Sequence, residues 1–136
     1  MAMHLEFVVQ GPPISNQSPG PNLTAWRATI AAAANLQWPN APFPQGVELK
    51  AIIVNFYAGR PTVDVDNMSK PILDEMEGIV YANDRQVVQA ELTHVEIGAA
   101  FSIVGVRPII VNAIQGGNQF VYVRIDDAVS PFLLPR

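Results

Sequence analysis

The sequence has no cysteine and only two histidines, His4 and His94. The first absence excludes disulfides, thiolate nucleophiles and cysteine-based zinc sites, and the second argues against a histidine-rich metal centre. Charged residues are also scarce, at 15% of the 136 residues against 49% for hydrophobic ones. This balance is typical of a globular domain with a substantial core, and it argues against a disordered chain.

Long apolar runs and an excess of basic residues are absent as well. No segment approaches the roughly 20 apolar residues that a membrane helix needs, so we expect no membrane partner. The apolar stretch at residues 7–9 lacks the length and the basic flank of a signal peptide, which predicts a cytoplasmic protein. The formal charge of −4, from 12 acidic and 8 basic residues, fits poorly with a simple nucleic-acid binder.

The sequence does contain regular apolar segments separated by turn-forming residues. Apolar runs predict strands at residues 5–9, 47–57, 86–97, 101–113 and 119–125. The last two are predicted to form a hairpin across residues 115–118. Two helices are predicted, one capped by Thr24 and ending near Leu36, the other capped by Ser69 and stopped by Gly78. This order predicts an α+β domain of α/β-like character, with a mixed sheet of about five strands and two helices packed on it.

The whole chain, residues 1–136, is predicted to form a single domain. Proline-rich loops are predicted at residues 10–23 and 38–46, where proline, glycine and asparagine cluster. The apolar tail at residues 128–136 is expected to pack on this domain or on a second copy of it.

Three aspartates are the main candidates for chemistry: Asp64 and Asp66 in one segment, and Asp84 ahead of the third predicted strand. In an extended segment residues i and i+2 point to the same side, so Asp64 and Asp66 can aim their carboxylates at one point. A third carboxylate alongside would make an oxygen-rich site in which like charges repel unless a cation neutralises them. Mg²⁺ or Mn²⁺ is the expected occupant, because hard divalent metals prefer oxygen ligands.

A longer pattern surrounds these aspartates. Residues 64–74 read DVDNMSKPILD, and Asn83, Asp84, Gln86 and Val87 follow. The D-x-D-N-x-x-K run before a helix, with D-x-Q-V at the start of a strand, resembles the RusA-type Holliday junction resolvases. The dense part of this resemblance extends from residue 64 to about residue 96.

The resemblance implies a homodimeric, Mg²⁺-dependent endonuclease that cuts branched DNA, namely four-way (Holliday) junctions, by paired incisions in recombination and repair. It also implies that Asp64, Asp66 and Asp84 are the catalytic, metal-binding carboxylates and that Lys70 is the functional lysine. Phosphodiester hydrolysis needs an activated water and stabilised phosphoryl oxygens, and Mg²⁺ or Mn²⁺ held by aspartates can supply both. Lys70 can reach the phosphate as a point charge, while Asn67 is expected to orient an aspartate or to cap backbone near the site.

The chain also departs from this family. Val63 precedes the first aspartate, and Asn16 and Gln17 lie in the N-terminal loop, at positions where members of the family carry basic residues. A surface poor in cations makes DNA binding weak or very sensitive to salt. A second hypothesis is therefore a non-catalytic RusA-like scaffold that binds branched DNA or a protein partner. An enzyme that uses a metal-bound nucleotide-sugar is disfavoured, because such chemistry usually needs a larger nucleotide-binding domain.

Several other side chains have a predicted role or environment. Arg60 and Arg85 flank the aspartates and are expected either to contact phosphate or to pair with the acids. His94, on a strand of alternating type, is predicted to be exposed. Asp74 is predicted to lie on the water-facing side of the second helix. Trp26 is predicted to be a core or dimer contact.

Overall fold

The strand that comes last along the chain, β4 (Phe120–Asp127), lies in the interior of the sheet. The structure, a computed structural model, describes residues 2–98, 104–129 and 131–135. Within these residues the sheet has four strands in the order β1 (Met3–Gln10), β4, β2 (Leu49–Tyr57) and β3 (Val87–Glu96). Because β4 is antiparallel to both of its neighbours whereas β2 and β3 are parallel, the sheet is mixed, as predicted.

Two helices contribute to the main core on one face of this sheet. They are α1 (Gly20–Gln37), which connects β1 to β2, and α2 (Ser69–Met76), which lies in the crossover from β2 to β3. The buried residues of α1 recur every four positions, at Trp26, Ile30 and Ala34, so one stripe of the helix faces the core. The predicted core position of Trp26 is thereby confirmed. A parallel strand pair needs a crossover connection, so α2 and its flanking loops are held between β2 and β3.

A second, smaller core lies on the opposite face of the sheet. It consists of aromatic side chains from two strands, Phe56, Phe120 and Tyr122. The rings of Phe56 and Phe120 are stacked with their centroids 4.4 Å apart. The helix α3 (Pro108–Gln115) packs here, and Arg107 before it is bonded to Glu6 of β1 at 2.6 Å. No residue of α3 is fully buried, so this face is covered less completely than the other.

The helix α3 corrects the sequence prediction for this part of the chain. A strand at 101–113 and a hairpin across 115–118 are predicted, whereas Pro108–Gln115 is helical and β4 starts after it. Residues 101–103 of the predicted strand lie outside the described residues. The apolar residues 109, 110, 113 and 114 have helical spacing, and a proline suits the first turn of a helix. The predicted hairpin is therefore wrong and the described sheet has four strands, while the α+β class is confirmed.

Two further boundaries differ from the predictions. The helix α1 begins at Gly20, ahead of the predicted cap Thr24, because Pro21 suits a first helical turn. The first proline-rich loop accordingly ends at residue 19. At the end of the apolar tail, the large side chains of Phe132, Leu133 and Leu134 are exposed, and their predicted packing on a second copy stays a prediction. Within the described ranges, no helix has the length and apolar character needed to cross a membrane.

Candidate active site

Asp64 and Asp66 lie in a turn that leads into α2. The Asp64 carbonyl accepts hydrogen bonds from the amides of Asn67 at 3.0 Å and Met68 at 3.2 Å. The Ser69 hydroxyl donates to the Asp66 carbonyl at 3.0 Å. These bonds coil the segment ahead of the helix, so its predicted extended conformation is wrong. The alternation of side chains along a strand therefore does not align the two carboxylates.

The carboxylates of Asp64, Asp66 and Asp84 have no partner among the residues that the structure describes. None of the three accepts a hydrogen bond or forms an ion pair within the described part of the chain. By contrast, the nearly completely buried Asp126 is bonded to the guanidinium group of Arg124 at 2.7 Å. The three predicted site residues are thus acidic side chains without a neutralising partner among the described residues.

Lys70, in the first turn of α2, is bonded to Asp74 one turn later, with 2.7 Å between Nζ and Oδ1. The other carboxylate oxygen of Asp74 lies 3.4 Å from Arg27 of α1, which also lies 3.5 Å from Asn16 in the N-terminal loop. Asp74 is therefore not the free, water-facing side chain that the sequence predicts. The hydrogen bond to Asp74 raises the pKa of Lys70, and the charges of Asp74 and Asp84 add to this effect. Lys70 consequently remains protonated.

Asp84 is the first residue of a 3₁₀ helix that ends at Gln86, directly before β3. The Asn83 side chain accepts from the Arg85 amide at 2.9 Å, and the Gln86 side chain accepts from the Asn83 amide at 2.9 Å. This reciprocal pair is a capping box, which fixes the start of a helical turn. The Asp84 amide donates to Glu77, just beyond α2, at 3.1 Å. This hydrogen bond connects the turn that carries Asp84 to the segment directly after α2.

Three acidic side chains make the end of α2 a negative region. Burial and the charges of Asp84, Asp74 and Glu77 raise the pKa of Tyr81 far above its usual value. The phenol is therefore neutral, and its hydroxyl donates to a backbone carbonyl of α2 at 2.6 Å. Lys70 brings a positive charge to this region, so the lysine and Asp84 share one electrostatic environment.

The three aspartates are not joined in one ligand group. Across residues 2–98, 104–129 and 131–135, no three His, Cys, Asp or Glu side chains are arranged so that they could hold a metal ion. The donor chemistry nevertheless suits Mg²⁺ or Mn²⁺, because unpaired carboxylates are hard oxygen ligands. The convergence of Asp64, Asp66 and Asp84 on a metal ion stays a prediction.

A polar groove of about 220 Å³ lies beside Asp64. The N-terminal loop forms one wall, and the segment that precedes α2 forms the other. The groove is lined by Ser15, Gln17, Pro61, Thr62, Val63, Asp64 and Asn67. A ligand in this groove would contact neutral hydroxyl and amide groups and would reach one of the predicted catalytic carboxylates.

His94 is half-buried rather than exposed, which corrects its predicted environment. Its Nδ1 atom lies 3.2 Å from Asn55 Nδ2, and its Nε2 atom lies 3.1 Å from the Val63 carbonyl. Tyr57 meets the ring edge-on, with 5.9 Å between the centroids. Because Val63 directly precedes Asp64, His94 contacts the loop that carries the first aspartate.

The side chains that support the candidate site were not predicted from the sequence. The Gln86 amide group donates to the carbonyls of Pro44 at 2.9 Å and Val47 at 3.1 Å, and so anchors the Asp84 turn to the second proline-rich loop. The spacing of Asn83 and Gln86 is a capping-box pattern and could have indicated part of this arrangement. The contact from His94 joins residues far apart in the chain, and no local pattern signals it.

The sequence matches the family model described as "Endodeoxyribonuclease RusA" over residues 17–103. The match covers more than half of the chain and includes Asp64, Asp66, Lys70 and Asp84. The chain therefore belongs to the RusA endodeoxyribonuclease family, and the resemblance seen in the sequence is confirmed. No individually curated protein matches the sequence.

Proposed function

We propose that this chain is a divalent-metal-dependent endonuclease that cleaves branched DNA, such as four-way junctions, by phosphodiester hydrolysis in recombination and repair. One observation carries the proposal: Asp64, Asp66 and Asp84 lie in the segment that matches the RusA family, and their carboxylates are unpaired within the described ranges. Acidic groups that a fold leaves unneutralised are candidates for binding or catalysis.

Asp64, Asp66 and Asp84 would hold Mg²⁺ or Mn²⁺ through their carboxylate oxygens. When bound, such an ion supplies positive charge to the phosphoryl oxygens and makes an attacking water more acidic. The side chain of Lys70 is 61% exposed, so it can turn from Asp74 toward a phosphate as a point charge. In the free protein, Asp74 keeps the ammonium group of Lys70 close to the site.

Arg60 and Arg85 are the available phosphate contacts. Every other Lys or Arg side chain in the described ranges forms an ion pair with an acidic residue, whereas Arg60 and Arg85 do not. Arg60 lies four residues before Asp64, and Arg85 directly follows Asp84. Both therefore flank the predicted catalytic carboxylates, where contacts to the sugar–phosphate backbone would fix the register of the DNA.

A homodimer suits this activity, because two sites related by a two-fold axis can cut two strands symmetrically. The chain offers apolar surface for a second copy. The helix α3 has no fully buried residue, and the tail at residues 132–134 is exposed.

The test is cleavage of a labelled four-way junction at low salt in Mg²⁺ or Mn²⁺, with a linear duplex of the same sequence for comparison. The wild type should cut the junction at paired positions, and EDTA should stop it. Asp66→Asn should abolish cutting and keep the fold, because it removes a charge with little change of shape. Glu75→Gln, a matched change on α2, should cut like the wild type. Junctions that remain intact in both metals would overturn the proposal.

The alternative is a non-catalytic scaffold that binds branched DNA or a protein partner. The formal charge of −4 and the ion pairing of most cations favour it, because binding to phosphate depends on free positive charge. Titration calorimetry separates the two functions. Junction binding without Mg²⁺ or Mn²⁺ binding at millimolar concentration supports the scaffold, whereas metal binding that Asp66→Asn removes supports the nuclease.

A further inference from the structure

Asn55 places an amide side chain in the apolar interior of the sheet. It lies on β2 between its register partners His94 of β3 and Val121 of β4, and it is 1% exposed. Its Oδ1 atom has no hydrogen-bond partner among the described residues. A buried polar group without full hydrogen bonding destabilises a fold, and an apolar residue here would avoid that loss. The presence of Asn55 therefore requires an explanation other than packing.

The Asn55 amide group is bonded to the ring of His94, with 3.2 Å between Nδ2 and Nδ1. The Nε2 atom of the same ring lies 3.1 Å from the Val63 carbonyl. A carbonyl only accepts and an amide nitrogen only donates, so these two contacts are both hydrogen bonds when Nε2 carries the hydrogen and Nδ1 accepts from Asn55. Asn55 thereby selects the ring tautomer that can donate to Val63.

The Val63 carbonyl attaches the segment before Asp64 to the sheet. The structure describes all of residues 59–63, and among them only the Val63 carbonyl makes a hydrogen bond. Asp64 follows, and its carbonyl accepts the amides of Asn67 and Met68 to open the turn into α2. A displacement of Val63 would therefore displace the Asp64 carboxylate.

We propose that Asn55 and His94 are positioning residues, which hold the Val63 carbonyl and so fix the Asp64 carboxylate beside the groove. Neither side chain needs to touch the substrate. The effect on catalysis rests on the proposed nuclease function, whereas the fixing of the turn does not. Sequences are expected to depart from optimal packing at functional sites, and a buried amide that orients a functional loop is such a departure.

The test compares His94→Asn with His94→Gln. A glutamine amide reaches the position of the Nε2 edge of the ring and can donate to Val63, whereas an asparagine amide ends near Nδ1 and cannot. Thr93→Val, at the exposed neighbouring position on β3, is the control.

Hydrogen exchange of the Asn67 and Met68 amides reports the turn directly. His94→Asn should speed their exchange about tenfold and leave the amides of β2 protected, while His94→Gln and the control behave like the wild type. Asn55→Val should speed the same two amides and preserve or raise the urea midpoint, because the buried amide is removed. Unchanged exchange in His94→Asn, or loss of protection throughout the sheet, would overturn the proposal.

Junction cleavage tests the catalytic consequence separately. His94→Asn should lower the single-turnover rate about tenfold with unchanged junction affinity, and His94→Gln should recover the rate. If exchange responds while the rate of an active enzyme does not, the catalytic part of the inference is wrong. If exchange responds and the wild type itself does not cut, the positioning role stands and the proposed nuclease function fails.

Discussion

The ammonium group of Lys70 lies 2.7 Å from the carboxylate of Asp74, one helical turn further along α2. Arg27 approaches the second oxygen of the same carboxylate at 3.4 Å. Asp74 therefore positions the side chains of Lys70 and Arg27 beside the candidate site before DNA binds. It does so from a position that the sequence pattern alone assigns to solvent.

Asp74→Asn should separate DNA binding from turnover. Junction affinity at low salt should rise a few-fold because a negative charge is removed. The cleavage rate should fall about tenfold because Lys70 is no longer held near the site. Junction Kd in EDTA and the single-turnover rate in Mg²⁺ measure the two effects. A faster cut, or an affinity that falls together with the rate, would show that Asp74 does not orient Lys70.

Neutralising the unpaired aspartates should leave stability nearly unchanged. Asp64→Asn, Asp66→Asn and Asp84→Asn should each change the free energy of unfolding by no more than about 0.5 kcal/mol, since no ion pair is broken. Asp126→Asn, which breaks the buried pair with Arg124, should destabilise by about 3 kcal/mol. Urea unfolding measures both.

The same variants test the metal site. Millimolar Mg²⁺ should raise the urea midpoint of the wild type more than that of the three site variants, because a ligand that binds the folded state stabilises it. An equal response in the wild type and in Asp66→Asn would argue against a metal ion at this position.

The salt dependence of DNA binding should identify the phosphate contacts. Arg60→Ala and Arg85→Ala should each reduce the slope of log K against log salt concentration by about 0.9, the contribution of one neutralised phosphate. Arg107→Ala is the control, because Arg107 is already paired with Glu6 on the opposite face of the sheet. A slope that is the same for all three variants would exclude Arg60 and Arg85 as contacts.

The attachment of α3 should weaken in acid. The hydrogen bond from Arg107 lowers the pKa of Glu6 against the opposing effect of burial, and a bond from Tyr122 adds to the lowering. A lowered pKa gives stability that is present above the ordinary value of 4.5 and is lost as the pH falls through the folded-state value. Urea unfolding across this range should show the loss in the wild type and not in Glu6→Gln. Parallel curves for the two proteins would contradict this assignment.

Local periodicity was sufficient to predict the four strands of the described sheet and the helices α1 and α2. Their apolar residues repeat with a period that suits one conformation. Gly78, which follows the C-cap of α2, has a φ of 85° and stops the helix as predicted. The apolar positions at residues 109, 110, 113 and 114 suit a helix, but so short and nearly continuous an apolar run does not exclude a strand by its period alone. The conformation there is settled by packing against β1 and β4, which depends on the tertiary fold.

The residues of the candidate site could be named from the sequence, whereas their local geometry could not. Residue types and spacing predicted Asp64, Asp66 and Asp84, and the family resemblance added Lys70. All four lie within the family match, and their roles stay predictions. The turn at Asp64 was missed although its backbone bonds to Asn67 and Met68 are local, because the spacing of Asp64 and Asp66 also suits an extended segment. The contact from His94 to the Val63 carbonyl, by contrast, joins distant parts of the chain. Contacts that cross the fold have no signature in a local window of sequence.

The place of β4 inside the sheet has a consequence during synthesis of the chain. The ribosome releases every acidic residue of the candidate site before it releases Phe120–Asp127, yet β1 and β2 lie in one sheet only after β4 has entered between them. Pairings of such high sequence separation form late, because a long loop must close before they contribute. A nascent chain therefore carries the acidic side chains well before it has the framework that orients them.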